Sequence, residues 1–212
     1  MKNDKNKSPK QPSKNGLSRR GFLRGAGLTT AGSVVFNSAV LAFETEASPA
    51  VGKAFGPDSV TIEMNVNGQM RSLIVEPRTT LASALRDHVG LTGTKLVCDR
   101  GSCSACTVWL DGKPINSCMT LAMDVGSRQV DTIEGLAKDG ELHPLQEAFI
   151  EHDASQCGYC TPGMLMTAAH LLKSNPDPTL QEVKKAMRGN LCRCGTYPHV
   201  FKATLAAAKK MK

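Results

Sequence analysis

The sequence predicts an α+β protein in which a sheet-rich domain over residues 51–133 precedes a bundle of four helices over residues 134–212. Three observations lead to this prediction. The first half contains two pairs of strand-like segments joined by Asn-Gly and Asp-Gly turns, and the second half contains helix-start signals but no strand signal. The eight cysteines divide into four in each half. A chain of 212 residues has room for two such domains.

The first predicted strand covers residues 59–66, where apolar and polar residues alternate with the period of a half-buried strand. Asn67-Gly68 follows it, a dipeptide typical of two-residue hairpin turns, and residues 69–75 are predicted to form the returning strand. A short helix is predicted over residues 81–88, because apolar side chains there share one helical face, and Gly90 ends it.

Four cysteines follow this helix: Cys98, Cys103 and Cys106 form a C-x4-C-x2-C loop, and Cys118 comes after eleven more residues. This is the ligand spacing of a plant-type [2Fe–2S] cluster, whose two irons need four converging thiolates. Small residues such as Gly101 let the loop curl so that backbone N–H groups can point at the cluster sulfurs. Zinc and disulfides are the alternatives, although zinc loops favour paired C-x2-C units.

A second hairpin is predicted between the third and fourth of these cysteines, with strands over residues 107–110 and 113–115 joined by Asp111-Gly112. Its return would bring the fourth cysteine back beside the third, and Trp109 is expected to be a packing residue of the hairpin. A last strand is predicted over residues 130–133. Strand, strand, helix, cysteine loop and hairpin is the order of elements in a β-grasp ferredoxin, so the first half is predicted to be a plant-type ferredoxin-like domain.

The second half is predicted to be helical, because apolar residues recur there at helical spacing. Thr161 is a candidate N-cap followed by proline at the first helical position, and Thr179 opens a capping box with Glu182. The predicted helices cover residues 143–152, from Thr161 to about Lys173, from Thr179 to about Arg188, and residues 199–210.

The helical half holds the other four cysteines, with Cys157 and Cys160 in a C-x2-C pair and Cys192 and Cys194 in a C-x-C pair. Both pairs are predicted at loop ends of the bundle, where four thiolates can surround one point. The spacing alone leaves an iron–sulfur cluster and zinc open, although C-x-C is tighter than the usual zinc pair. Disulfide bonds are less favoured than either of these two metal centres.

Residues 1–50 are predicted to be an export signal and linker. The first 24 residues carry the whole net charge of +7, since the remaining 188 contain 18 basic and 18 acidic residues. Arg19-Arg20 and the hydrophobic pair that follows resemble a twin-arginine export motif, and residues 25–43 carry no charge. Cleavage is expected after Ala47 or Ala50. An uncleaved anchor and a disordered basic tail are the alternatives.

The predicted destination is the periplasm, reached by a route that carries folded cargo with its cofactor inserted. Clusters built in the reducing cytosol would occupy the thiolates before the oxidising compartment could pair them as disulfides. The charge balance after residue 24 and the low aromatic content argue against nucleic-acid binding. Residues 25–43 are too polar for a comfortable membrane span, so membrane contact is expected only through the export signal.

Three longer motifs occur in order along the chain. They lie at residues 98–108, at residues 156–163 (QCGYCTPG) and at residues 190–198 (NLCRCGTYP). Together they resemble the small iron–sulfur subunit of the molybdenum hydroxylases, the family of xanthine dehydrogenase and aldehyde oxidoreductase. The resemblance covers residues 58–212. With the export signal added, the chain is most similar to the iron–sulfur subunit of a periplasmic aldehyde oxidoreductase.

The resemblance implies two [2Fe–2S] clusters and places substrate chemistry on another subunit, so no residue of this chain is expected to be catalytic. The implied ligands are Cys98, Cys103, Cys106 and Cys118 for the ferredoxin-like cluster, and Cys157, Cys160, Cys192 and Cys194 for the helical cluster. Gln156 and Cys194 are expected to approach molybdopterin, in its cytosine dinucleotide form, on a large partner subunit that oxidises aldehydes or N-heterocycles. Electrons would leave to an FAD subunit or a cytochrome.

Two positions depart from the family pattern. Ser104 stands where glycine is usual and is expected to shift a loop hydrogen bond, and Met164 stands where many members carry glutamine near the pterin. Two other functions are compatible with parts of the sequence. A free-standing ferredoxin-type electron carrier would not need the helical half, and a zinc-stabilised interaction module would be colourless.

Overall fold

The computed structural model describes residues 56–212, and the predicted export signal lies outside the described residues. Five strands form one sheet in the spatial order β2-β1-β5-β3-β4. Their bounds are β1 (Val60–Val66), β2 (Gln69–Val75), β3 (Thr107–Leu110), β4 (Lys113–Asn116) and β5 (Gln129–Asp131). Neighbouring strands are antiparallel except β1 and β5, which run parallel. The predicted α+β class and ferredoxin-like sheet are confirmed.

Both predicted hairpins form with two-residue turns. Asn67 and Gly68 have φ values of 52° and 78°, and Asp111 and Gly112 have 49° and 74°. Positive φ at both central positions is the requirement of a type I′ turn, whose twist matches that of the flanking strands. The predicted last strand is shifted: β5 ends at Asp131, and the chain then enters a 3₁₀ turn.

The helix predicted over residues 81–88 begins as α1 (Leu81–Ser83) and continues as one π-helical segment, Ala84–His88. Thr80 caps it, because its Oγ1 accepts a hydrogen bond from the backbone N–H of Ser83 at 3.2 Å. Leu81 and Leu85 are fully buried under the sheet. This helix therefore closes the core of the sheet half just before the cysteine loop begins.

The second half contains the four predicted helices. They are α2 (Pro144–Glu151), α3 (Thr161–Ser174), α4 (Leu180–Ala186) and α5 (Tyr197–Lys210). The capping box of Thr179 and Glu182 is present. The prediction that Thr161 is an N-cap is wrong: Cys160 holds that position, and the Thr161 hydroxyl instead lies 3.0 Å from Ser155 Oγ. The last helix begins at Tyr197, two residues before its predicted start.

Each half has its own buried apolar core, and Trp109 connects them. Trp109 is a packing residue of the hairpin, as predicted, but the core that it joins is that of the helical half. Its indole N–H donates a hydrogen bond to the carbonyl of Met166 in α3 at 3.0 Å. A buried indole needs such a partner, so strand β3 and helix α3 are held together at this point. Within residues 56–212 no helix is both long and apolar enough to cross a membrane.

Candidate metal centres

The first cysteine set converges at the end of the second hairpin. Cys103 and Cys106 are buried and Cys98 is partly buried in the loop before β3. Cys118 lies in a 3₁₀ turn directly after β4, and it is buried as well. The antiparallel pairing of β3 with β4 returns the chain to the loop, as the spacing predicts. The Cys103 thiol is close enough to Cys98, and the Cys106 thiol to Cys118, to perturb the pKa of its neighbour.

The loop backbone curls through three left-handed residues, Asp99, Gly101 and Ser104, with φ values of 50°, 70° and 53°. The curl points the Gly101 N–H at Cys118 Sγ, 3.3 Å away, which is the kind of backbone contact that the small loop residues predict. Ser104 is unusual in this region of φ, where a side chain is disfavoured. The backbone conformation therefore explains why glycine suits this position.

The second cysteine set lies where the loops before α3 and α5 meet. Cys157 is exposed, Cys160 is the buried N-cap of α3, Cys192 is partly buried and Cys194 is exposed. The Cys157 thiol is close enough to Cys194, and the Cys192 thiol to Cys160, to perturb the pKa of its neighbour. A surface cavity of about 410 Å³ is lined by Cys157, Cys160 and Cys192 together with Cys103 of the first set.

The thiol pairs have unequal pKa values. The Arg100 backbone N–H and the Cys103 thiol lower the pKa of Cys98 to about 7. Burial and the neighbouring Cys106 thiol raise the pKa of Cys118 to about 11. Such a set releases protons when all four sulfurs become metal-bound thiolates, so metal affinity should rise with pH.

The second set has the same asymmetry. Burial and the Cys192 thiol raise the pKa of Cys160 to about 12. Burial alone would also raise the pKa of Cys192, but hydrogen bonds from the Thr196 hydroxyl and from backbone N–H groups outweigh it and lower this pKa to about 7. Thr196 lies inside the third motif, residues 190–198, but the sequence does not indicate that its hydroxyl contacts Cys192.

The arrangement of the thiols in pairs fits a [2Fe–2S] cluster, which takes four thiolates on two irons. Zinc would need all four sulfurs around one ion. Cys98 also contributes to the raised pKa of Cys118, and Cys157 to that of Cys160. The two pairs of each set therefore lie close to one another.

Of the two positions expected near a partner's pterin, Gln156 lies next to the second cysteine set and Cys194 belongs to it. Gln156 and Cys194 are both exposed on the loops that carry its cysteines. Met164, in contrast, is fully buried in α3. Its side chain fills the helical core.

The two cysteine sets are joined by backbone contacts that the sequence did not predict. The N–H of Leu191, next to Cys192, donates a hydrogen bond to the carbonyl of Cys103 at 3.0 Å. Beside it, Asn190 Nδ2 donates to the Ser104 carbonyl at 3.3 Å. These residues lie in two of the long motifs, but nothing in their spacing indicates that the motifs touch.

Comparison with known proteins identifies both halves. The family described as "2Fe-2S iron-sulfur cluster binding domain" matches residues 64–133, and that described as "[2Fe-2S] binding domain" matches residues 132–205. The chain is 50% identical over 150 residues to the nicotine 6-hydroxylase small subunit of Paenarthrobacter nicotinovorans. The alignment covers 71% of this chain and 90% of that protein. It is 38% identical over 211 residues to the aldehyde oxidoreductase iron–sulfur-binding subunit of Escherichia coli K12. That alignment covers 92% of this chain and 90% of that protein.

Solved structures give the same result. Quinoline 2-oxidoreductase from Pseudomonas putida 86 has a chain that is 45% identical, with a TM-score of 0.70 over 72% of this chain and 95% of that one. Aldehyde oxidoreductase from Desulfovibrio gigas is 38% identical, with a TM-score of 0.67 over 72% of this chain and 17% of that one. The chain belongs to the small iron–sulfur subunits of the molybdenum hydroxylase family.

Proposed function

We propose that this chain carries electrons from a molybdopterin subunit to an onward acceptor, through one [2Fe–2S] cluster held by Cys157, Cys160, Cys192 and Cys194 and a second held by Cys98, Cys103, Cys106 and Cys118. Such clusters supply one-electron redox chemistry when bound. The observation that carries the proposal is the 3.0 Å hydrogen bond from Leu191 N–H to the Cys103 carbonyl. Leu191 directly precedes Cys192 of the second set, so this bond connects the second cysteine set to Cys103 of the first.

The contacts around this hydrogen bond hold it in place. The Ser104 carbonyl accepts hydrogen bonds from Thr107 Oγ1 at 2.8 Å and from Asn190 Nδ2 at 3.3 Å. Gly163 of α3 packs so closely against the same carbonyl that a side chain would not fit. The chain therefore holds the two cysteine sets at a constant separation, as a relay requires. A free-standing electron carrier would have no use for this arrangement.

The substrate class is proposed from the relatives. Their names include oxidoreductases of aldehydes, nicotine, nicotinate and quinoline, so we infer an aldehyde or an N-heterocycle as the substrate of the partner subunit. Exposed Gln156 and Cys194 would face the molybdopterin, for which we propose the cytosine dinucleotide form. The first cysteine set would face an FAD subunit or a cytochrome. The division into domains at residues 133 and 134 is supported by the two family matches, which meet there.

The test compares Cys194→Ser with Cys103→Ser in the complete complex, with Ser102→Ala as the control in the same loop. Ser102 is exposed and its hydroxyl contacts only the Arg100 carbonyl at 3.4 Å among the described residues. After rapid mixing with substrate, EPR should show that Cys194→Ser prevents reduction of the remaining cluster. Cys103→Ser should leave the helical cluster rapidly reducible while blocking transfer to the acceptor. The opposite pattern would show that the proposed order is wrong.

We also propose that residues 1–50 export the folded, cluster-loaded chain and its bound partner to the periplasm. The Arg19-Arg20 motif and the uncharged residues 25–43 that follow it support this. Replacing both arginines by lysine should leave the complex in the cytosol, measured by fractionation and activity. The control, Lys10→Arg with Lys14→Arg, preserves charge outside the motif. Normal export of the double lysine variant would refute the assignment.

A further inference from the structure

Thr196 stands at the N-cap of α5 but its side chain does not cap the helix. Threonine at this position normally accepts a hydrogen bond from a backbone N–H of the first turn. Two other N-cap threonines in the same protein do so: Thr80 accepts from Ser83 at 3.2 Å and Thr179 accepts from Glu182 at 3.3 Å. Thr196 is only 2% exposed, so water does not replace the missing partner.

The Thr196 hydroxyl points at sulfur instead. Its Oγ1 lies 3.2 Å from Cys192 Sγ, within hydrogen-bond distance of a sulfur acceptor. A thiolate that binds iron has no proton, so in the loaded protein the hydroxyl must be the donor. Hydrogen bonds to charged acceptors are stronger than neutral ones, and burial strengthens them further.

Hydrogen bonds to the Tyr197 hydroxyl hold the loop around Cys192 in the position that brings its sulfur to Thr196. The Cys192 backbone N–H donates to the Tyr197 hydroxyl at 2.8 Å, and that hydroxyl donates to the Asn190 carbonyl at 3.2 Å. Tyr197 is the first residue of α5, directly after Thr196. The start of the helix thereby holds both the backbone and the sulfur of Cys192.

We propose that Thr196 raises the reduction potential of the helical cluster by donating its hydroxyl hydrogen to Cys192 Sγ. The inference rests on the proposed function. Reduction adds negative charge that spreads onto the ligand sulfurs, so a donor to one of them stabilises the reduced state more than the oxidised state. A higher potential favours uptake of electrons from the partner's molybdopterin.

The effect should be specific to one cluster. Cys118 in the first set receives its hydrogen bond from the Gly101 backbone N–H at 3.3 Å, which no side-chain substitution removes. Thr196 is therefore a positioning and tuning residue for the second set alone. The ferredoxin-like cluster of the same sample serves as an internal reference.

The experiment is a redox titration of the complete complex followed by EPR, with the two cluster signals assigned through the Cys103→Ser and Cys194→Ser variants. Thr196→Val replaces the hydroxyl by a methyl group of similar size. At a fixed potential it should lower the ratio of reduced to oxidised helical cluster about tenfold, which is about 59 mV for a one-electron couple. Thr196→Ser, which keeps the hydroxyl, should restore the wild-type potential.

Thr179→Val is the matched control, because it removes a true helix cap. It should lower the melting temperature and leave both potentials unchanged. An unchanged helical potential in a fully loaded Thr196→Val complex, or equal shifts in Thr196→Val and Thr196→Ser, would overturn the proposal. If Thr196→Val does not load, Thr196→Ala repeats the test, and loss of the cluster in both would mean that the hydroxyl serves assembly instead. A wild-type complex with only two irons per chain would overturn the proposed function itself.

Discussion

Gly163 is a position where the addition of a single methyl group should destabilise the contact between the two halves of the protein. It is the third residue of α3, and a Cβ atom built on it would lie 2.2 Å from the Ser104 carbonyl oxygen and 3.0 Å from Ala105 Cα. Real Cβ atoms essentially never approach another heavy atom within 3.0 Å, so Gly163→Ala requires a backbone shift of at least about 0.8 Å. Both neighbours are backbone atoms and cannot rotate away.

The cost can be estimated from the contacts. Overpacking of this kind typically costs about 1–3 kcal/mol. The displaced Ser104 carbonyl would also strain its hydrogen bonds from Thr107 and Asn190, each of which contributes about 1 kcal/mol. Alanine recovers up to about 1 kcal/mol in helix propensity. The net destabilisation should be about 2 kcal/mol, which lowers the melting temperature of a chain of this size by about 4–8 °C.

The assay is thermal unfolding of the loaded complex, monitored by the visible absorbance of the clusters. Gly189→Ala is the matched control, because its Cβ would meet Ser104 Oγ at an ordinary 3.6 Å and its backbone is not left-handed. The control should melt within about 1 °C of the wild type, since no overpacking term applies. A Gly163→Ala protein as stable as the control would refute the inferred close approach of α3 to the cysteine loop.

Two further predictions concern the contact between the halves and the metal content. Trp109→Phe removes the indole hydrogen bond to the Met166 carbonyl and should lower the unfolding free energy by about 1–2 kcal/mol without altering either EPR signal. Calorimetry measures this, and an unchanged melting temperature would contradict it. The loaded chain should contain about four irons and four labile sulfides, since all eight cysteines fall into two sets of four. Iron and sulfide analysis showing two of each would disprove the second set.

The local parts of the fold were predictable because short-range rules determine them. Asn67-Gly68 and Asp111-Gly112 adopt positive φ cheaply, so both hairpins and their registers follow from the sequence. The capping box at Thr179 likewise depends on atoms three residues apart. The spacing of the cysteines restricts the chemistry in the same way, because few metal centres accept a C-x4-C-x2-C loop.

Long-range contacts were not predictable from these rules. The sequence does not indicate that β5 lies parallel to β1, or that the Trp109 side chain donates a hydrogen bond to α3. Thr161 has every local feature of an N-cap, yet Cys160 takes that position in the loop that carries the second cysteine set. In the first two cases a partner distant in the chain decides the contact.

The sequence by itself determined two four-cysteine sets, the order of the secondary-structure elements and the family resemblance, since all of these depend on residue type and spacing. Only the tertiary structure decided how the sets are connected. The Leu191–Cys103 hydrogen bond, the close packing of Gly163 on Ser104 and the turning of the Thr196 hydroxyl towards Cys192 each require folded elements to meet. Backbone polar groups must find partners when they are buried, and which partner they find depends on the packing of the whole chain.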